Sequence, residues 1–369
     1  MRWIIAGGGT GGHLFPGIAL AQELKRRISG ADVLFVGHGK GLTGRILKQE
    51  GFEFKEIKVI GIKGQSNIEK LEAMIRIPYA CWQSGRIIAR YNPRAVLGVG
   101  GYSAGPVVLT AALMKKACYI QEQNVYPGLT NRLLARWARR VFVSYPESVD
   151  YFPPQKALFT GNPVRDKVAK LPDKAAALQV FGLSRDKFSL LVFGGSQGAH
   201  RINWGMLEAL PNLVNERKRL QIIHQTGEKD CEWVRAEYKN RQIKSYVSAF
   251  IYDMPSAYAA ADLIICRAGA TTLAEITVAG KPALLVPYPY AANDHQAKNA
   301  AAMARVGAAK VIADNEINGE VLSRVILDFI NNKDLVAQMA KAAKALGRAD
   351  ASRHIVEYIL SETDSVRQS

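Results

Sequence analysis

Gly7-Gly8-Gly9-Thr10-Gly11-Gly12-His13 stands directly behind an apolar run, Arg2–Ala6, and directly ahead of a helical period, Leu14–Ile28. Glycines in such a turn let the backbone close tightly and approach an anion, and the helix behind them presents unpaired N–H groups and a partial positive charge. Gly7, Gly9 and Gly12 match the G-x-G-x-x-G dinucleotide fingerprint. A nicotinamide site would also want an acid at the end of the second strand to hold the ribose. That strand, Val33–Val36, runs into Gly37-His38-Gly39, and Asp32 precedes it. The stretch reads as a phosphate-binding turn in a Rossmann-like unit, without the NAD signature.

Outward from this turn the same plan repeats. Candidate strands are Arg2–Ala6, Val33–Val36, Phe54–Ile57, Ala95–Val99, Cys118–Gln121 and Val141–Ser144, then Ser189–Phe193, Leu220–Gln225, Tyr246–Phe250, Leu263–Cys266, Ala283–Val286 and Ala309–Ile312. Helical periods such as Ile202–Leu210, Thr271–Ala279 and Gln296–Val306 fill the gaps, which argues for parallel sheets covered on both faces. A chain of 369 residues exceeds one ordinary core. The expected plan is α/β: a Rossmann-like domain over 1–162, a linker over 163–187 opened by Gly161-Asn162-Pro163-Val164-Arg165, a second such domain over 188–350, and a helix in 351–369 crossing back to the first.

Further glycine loops follow strands at Gly98–Pro106 and Phe193–Ala199, and a small-residue loop leads from Cys266 to Glu275. In open α/β sheets ligands bind at the carboxyl edge of the strands, so two such edges facing one another would make a cleft with phosphate loops on both walls. Glu275, in the second turn of its helix, suits a ribose diol, the alternative being a solvated surface carboxylate. Asn293-Asp294-His295-Gln296 clusters groups suited to sugar hydroxyls. No D-x-D occurs, so a metal held by paired acids at a diphosphate is not expected.

Hydrophobic content of 48% and charged content of 22% are those of a soluble globular protein. Cys81, Cys118, Cys231 and Cys266 form no Cys-x-x-Cys pair, which fits a reducing cytoplasm. No signal peptide is expected, and the most apolar stretch, Ala104–Met114, has about half the length of a bilayer span. The net charge is +17, and residues 1–164 hold 22 Lys and Arg against 10 Asp and Glu. That excess points to nucleic acid or an anionic membrane face. Nucleic acid leaves the paired glycine loops unexplained, and the interleaved aromatics of a single-strand platform are missing. Ile68, Leu71, Ile75, Pro78 and Trp82, beside Met74 and Tyr79, make an apolar stripe among Lys63, Lys70, Arg76, Arg86, Arg90 and Arg94. Such a stripe either lies on an anionic bilayer or packs on the sheet, and Pro78 should break or kink a long helix there.

Taken together, Gly8–His13, Gly100–Pro106, Glu122-Gln123-Asn124, Gly161–Arg165, Gly194–Ala199 and Arg267–Ala270 resemble, in order and over nearly the whole chain, the N-acetylglucosaminyltransferases of bacterial peptidoglycan synthesis. The resemblance implies the GT-B architecture, two Rossmann-like parallel-sheet domains facing across a cleft. It implies inverting transfer of GlcNAc from UDP-GlcNAc to the muramyl C4 hydroxyl of lipid I, undecaprenyl-pyrophosphoryl-MurNAc-pentapeptide. It also implies a peripheral enzyme on the cytoplasmic face of the bacterial inner membrane, with no cofactor and no nucleic acid partner.

Carried over by position, the resemblance places Ser196 at the donor diphosphate, Arg165 near the nucleotide, the Ile251 backbone at the uracil, Glu275 at the ribose and Gln296 at the GlcNAc hydroxyls. Thr10, Gly11, Gly12 and Asn124 complete the donor site, together with Ala270, Thr271, Thr272, Leu273 and Ala274. His295 departs from members that carry a second Gln there. Gly11, Gly12, His13, Gly101, Tyr102, Ser103 and Gly105 are the candidates for the acceptor pyrophosphate. Ile75, Tyr79, Trp82, Arg76 and Arg86 are those for the membrane face.

For the base that deprotonates the acceptor, His13 is the first candidate, because it sits on the first glycine loop and imidazole titrates near working pH. The alternative is that His13 only hydrogen-bonds the loop or a phosphate. Glu122 is the second candidate, and His38, His200, His224 and His354 read as structural or solvent-facing. Rival readings are a glycolipid-forming transferase of the same fold, a non-hydrolysing UDP-GlcNAc epimerase, and a silent UDP-sugar-binding partner.

Overall fold

The computed structural model describes residues 1–8, 11–39, 41–59, 67–195 and 197–365, side chains excepted at 42, 67–75, 364 and 365. Two compact units share the chain: Met1–Arg165 with Arg348–Ser369, and Asp166–Gly347.

The first unit carries seven strands, β1 (Arg2–Ala6), β2 (Asp32–Gly37), β3 (Glu53–Glu56), β4 (Ala95–Gly98), β5 (Ala117–Glu122), β6 (Arg140–Val143) and β7 (Ala157–Phe159). They pair in parallel in the order β3-β2-β1-β4-β5-β6-β7, with Ile5 opposite both Phe35 and Leu97. Ile4, Ile5, Ala6, Val36 and Val96 are fully buried, as expected of strands covered on both faces. β7 is a strand that apolar patterning missed: three half-buried residues are too short to show a period.

The second unit holds β8 (Phe188–Phe193), β9 (Leu220–Gln225), β10 (Ser245–Ser248), β11 (Leu263–Cys266), β12 (Ala283–Leu285) and β13 (Ala309–Val311). Their order is β10-β9-β8-β11-β12-β13, again all parallel. In each sheet the strand order reverses beside the first strand of the unit, between β1 and β4 and between β8 and β11. Chains leaving those neighbours turn to opposite faces and open a crevice at the carboxyl edge. The glycine loops after β1, β4 and β8 stand at those reversals.

Two segments differ from their reading in the sequence, the linker and the helix through Pro78. Residues 163–187 are not a bare linker, because helices Asp166–Ala169 and Lys174–Val180 belong to the second unit. Asp173 caps the latter by accepting from Ala175 N at 2.8 Å and Ala176 N at 3.3 Å, and Ala177 and Leu178 are buried against the core. The last helix, Ala351–Ser365, starts where expected and joins the first unit, with Arg27 paired to Glu357 at 2.6 Å and Tyr119 donating to Glu362 at 2.8 Å. Helix Asn67–Tyr91 runs unbroken through Pro78. Its inner line, Ala80, Ser84 and Ile88, is fully buried, and that packing outweighs a proline cost of about 3 kcal/mol in an exposed turn.

Candidate active site

In the first unit the turns after β1, β2, β4 and β5 converge. His13 lies in the first turn of helix Gly11–Arg27. Its Nδ1 is 3.1 Å from the Val99 carbonyl and 3.2 Å from Gln123 Oε1. Gln123 Nε2 donates to the same Val99 carbonyl at 2.6 Å, which turns its Oε1 toward the imidazole. Two acceptors against one ring nitrogen assign the proton to Nδ1 and the lone pair to Nε2. The close fit requires glycine at 100, where φ is +92° and a Cβ would stand 2.8 Å from His13 Nδ1.

Glu122 is buried and accepts from four donors: Asn124 N at 3.0 Å, Asn124 Nδ2 at 3.2 Å, Gly128 N at 3.0 Å and Asn131 Nδ2 at 2.8 Å. Its lone pairs hold the 124–128 turn to the helix Leu129–Leu134. That gives Glu122 the work of a brace between strand, turn and helix.

Ser103 is the N-cap residue of helix Ala104–Leu113; it is buried, and its Oγ finds no partner among the described residues. Tyr102 beside it is exposed, its ring 5.9 Å from that of His38, and burial of part of the phenol raises its pKa. Gly105 lies against Thr130, and the buried Arg165 stacks its guanidinium 4.1 Å over Phe15, which itself lies against Gly11. Gly11, Gly12, His13, Gly101, Tyr102, Ser103, Gly105, Asn124 and Arg165 thus share one edge of the first unit. Thr10 lies outside the described residues. Phe15 is a neighbour the sequence reading passed over, and Gln123 enters that reading only within the Glu122-Gln123-Asn124 motif, with no role of its own.

In the second unit the loop after β8 leads into helix His200–Leu213. Ser196 lies outside the described residues. Gly198 (φ +78°) lies so close to the chain after β9 that a Cβ would stand 1.9 Å from the Thr226 carbonyl. Ile251 is buried, and its N–H donates to Gln225 Oε1 at 2.8 Å.

Glu275 is 4% exposed and accepts from the Tyr258 hydroxyl at 2.9 Å, so the solvated-carboxylate alternative falls. On the same helix, Ala270–Ala279, residues Ala270, Thr271 and Leu273 are buried and Thr272 and Ala274 half-buried. Gln296 Oε1 accepts from Tyr288 N at 3.0 Å, and His295 Nδ1 donates to the Ala292 carbonyl at 2.7 Å. The preceding Asn293 and Asp294 both adopt left-handed φ, +57° and +55°, a strained pair of the kind that clusters at functional turns. Arg267 pins this region by pairing with Asp314 at 2.5 Å and donating to the Val286 and Pro287 carbonyls at 3.2 Å.

The other histidines sort by environment. His200 and His354 make exposed pairs with Asp230 and Asp350. His224 is fully buried between Asn203 Oδ1 at 3.0 Å and Tyr238 Oη at 2.8 Å, and desolvation pulls its pKa down to about 3.

On helix Asn67–Tyr91, Tyr79 and Trp82 are 46% and 54% exposed and stack at 5.7 Å, and Arg86 lies 4.9 Å over the Trp82 ring. Arg76 is exposed too, whereas the Ile75 side chain lies outside the description. Tyr79 and Trp82 therefore do not pack on the sheet, as one alternative had it. Among the described residues no helix is long and apolar enough to cross a membrane.

Residues 3–143 match the glycosyltransferase family 28 N-terminal domain, and residues 189–355 match its C-terminal domain. The chain is 45% identical to the UDP-N-acetylglucosamine–N-acetylmuramyl-(pentapeptide) pyrophosphoryl-undecaprenol N-acetylglucosamine transferase of Geobacter sulfurreducens, over 98% of this chain and 99% of the relative. It is 46% identical to the transferase of the same name from Anaeromyxobacter dehalogenans, over 97% and 92%. Among solved structures it is similar to MurG of Acinetobacter baumannii, with a TM-score of 0.73 and 32% identity over 98% and 99% of the two chains. A UDP-GlcNAc 2-epimerase from Neisseria meningitidis, at 15% identity and TM-score 0.70 over 98% and 100%, shares the fold alone.

Proposed function

The chain belongs to glycosyltransferase family 28, among its MurG-type N-acetylglucosamine transferases, and we propose that it carries GlcNAc from UDP-GlcNAc to the muramyl C4 hydroxyl of undecaprenyl-pyrophosphoryl-MurNAc-pentapeptide, inverting the anomeric centre. Lipid I becomes lipid II, the precursor for peptidoglycan. What carries the reading is identity of 45% along the full length with an enzyme whose name states this transfer.

The chemistry asks for three things. The acceptor hydroxyl must lose a proton, UDP must leave as a stabilised anion, and attack must come from the face opposite the leaving group. His13 Nε2 takes the proton, with Val99 and Gln123 holding Nδ1–H so that the ring accepts on the correct side. Charge developing on the β-phosphate falls to the backbone N–H groups of Gly194–Ala199 and the N-terminus of helix His200–Leu213. Fixed donors of this kind need no metal held by paired acids.

Glu275 takes the ribose hydroxyls, its carboxylate oriented by the Tyr258 hydroxyl. Ile251 lies at the uracil, Ser196 at the diphosphate and Gln296 at the GlcNAc hydroxyls, with Ala270–Ala274 lining the donor. The resemblance assigns Thr10, Gly11, Gly12, Asn124 and Arg165 to the donor as well. Gly101, Tyr102, Ser103 and Gly105 join Gly11–His13 at the acceptor pyrophosphate, where the buried Ser103 hydroxyl supports an anion contact. Tyr79 and Trp82, with Ile75 and the bases Arg76 and Arg86, form the face laid on the anionic cytoplasmic leaflet.

The deciding experiment combines purified protein, UDP-GlcNAc and a short-chain lipid I analogue, following UDP release and the disaccharide by mass. Acceptor-dependent disaccharide, formed in excess chelator, is the expected result. UDP release without acceptor would move the case to epimerase or hydrolase chemistry.

A further inference from the structure

β9 lies between β8 and β10, so the residues that end it border the loops leaving both neighbours. On one side, Thr226 N and Gly227 N continue the pairing to the Ser248 and Ala249 carbonyls at 3.0 and 3.1 Å, just ahead of Phe250-Ile251. On the other, Gly198 presses on the Thr226 carbonyl, and Asn203 Nδ2 donates to that same carbonyl at 2.9 Å. Gln225, the last residue of β9, is 3% exposed. Its amide spans the gap: Nε2 donates to the Gly195 carbonyl at 2.7 Å, and Oε1 accepts from Ile251 N–H at 2.8 Å. The Gly195 carbonyl also closes its own turn by accepting from Gly198 N at 3.1 Å.

We propose that Gln225 is a positioning residue that sets the spacing between the phosphate loop and the base-binding segment, so that nucleoside and diphosphate are recognised as one ligand. This rests on the donor-site reading given above. An amide carries a donor and an acceptor on one planar head, so a single buried side chain can satisfy a carbonyl on one side and an N–H on the other. A carboxylate cannot donate to Gly195, and a thioether cannot donate and accepts only weakly. With the bridge in place, a base seated at Ile251 finds the Gly195 end of the loop already held at a fixed distance. Without it each half binds to a segment that settles independently.

The test measures affinity for uridine and for UDP by calorimetry, and KM and kcat for UDP-GlcNAc, in wild type, Gln225→Met and Gln225→Asn. Thermal unfolding of each confirms the folded state, and Gln225→Asn, polar but one methylene short, covers a Met variant that fails to fold. The affinity advantage of UDP over uridine is expected to shrink about tenfold, with KM rising in parallel and kcat at saturating donor within about threefold of wild type. Equal losses for uridine and UDP, or no change in either, would overturn the proposal, since a merely structural side chain moves both ligands together. The donor-site reading fails separately, if Glu275→Ala leaves UDP affinity untouched.

Discussion

The loop after β1 and the loop after β8 begin from the same device, glycines between a parallel strand and a helix, yet they are furnished differently. The first holds an imidazole: His13 is pressed between Gly100 and Gln123, its proton fixed on Nδ1 by two acceptors. The second is clasped by main chain, Gly198 against Thr226, and the buried Gln225 beside it bonds backbone on both sides. A loop that must transfer a proton needs a titratable group held at one angle. A loop that must neutralise a diphosphate needs only N–H groups that do not move. Under the proposed function the contrast divides the labour: the first unit for chemistry on the acceptor, the second for holding the donor.

Removing the imidazole should have the largest effect. His13→Ala is expected to lower kcat by about 10²–10⁴-fold, with UDP affinity within about twofold of wild type. Single-turnover kinetics beside calorimetry check it. Near-normal turnover would end the division, because the first loop would then be another phosphate cradle. Next comes Gly198→Ala, which sets a Cβ 1.9 Å from a carbonyl at a φ of +78°. Thermal unfolding should drop sharply, and any folded fraction should lose donor binding. Gly100→Ala should do the opposite, lowering kcat by displacing His13 while UDP still binds.

Glu275→Ala sharpens the donor side by a smaller amount. Losing the buried carboxylate proposed to receive the ribose hydroxyls should raise KM for UDP-GlcNAc by about 10–100-fold, kcat changing less. Steady-state kinetics at saturating acceptor measure it. A Glu275→Ala enzyme with unchanged KM but depressed kcat would place that carboxylate with the chemistry instead.

Much of this was legible in the chain. Strand and helix alternation marked both sheets, and the glycine loops fell at the strand-order reversals, because a phosphate turn leaves a local composition. What stayed hidden depends on partners distant in sequence. The burial of Glu275 and its bond from Tyr258, 17 residues earlier, are announced by no helical pattern. Gln225 ends a strand as an ordinary polar residue, and its role comes only from lying between β8 and β10. Helix Asn67–Tyr91 crosses Pro78 because Ala80, Ser84 and Ile88 are buried along it, a tertiary fact that proline content alone argues against.

The smallest effect separates two histidines. His13, half-buried among loop carbonyls, is the one assigned to catalysis, whereas His224 lies wholly inside the second unit with its pKa near 3. An unfolded chain binds a proton at His224 from its ordinary 6.5 downward, and the folded chain refuses it until about 3. Above 6.5 both states are neutral there and stability is undiminished. As the pH falls from 6.5 toward 3 the unfolded state gains the proton and stability is lost. Unfolding temperature should therefore decline over that window, and His224→Gln should flatten the decline although the substitution itself lowers stability at neutral pH. The pH profile of kcat should be unchanged in that variant, since the proposed base is His13 and not His224. A profile that moved with His224 would mean that a buried side chain of the second unit governs turnover, and the separation of chemistry from donor holding would have to be redrawn.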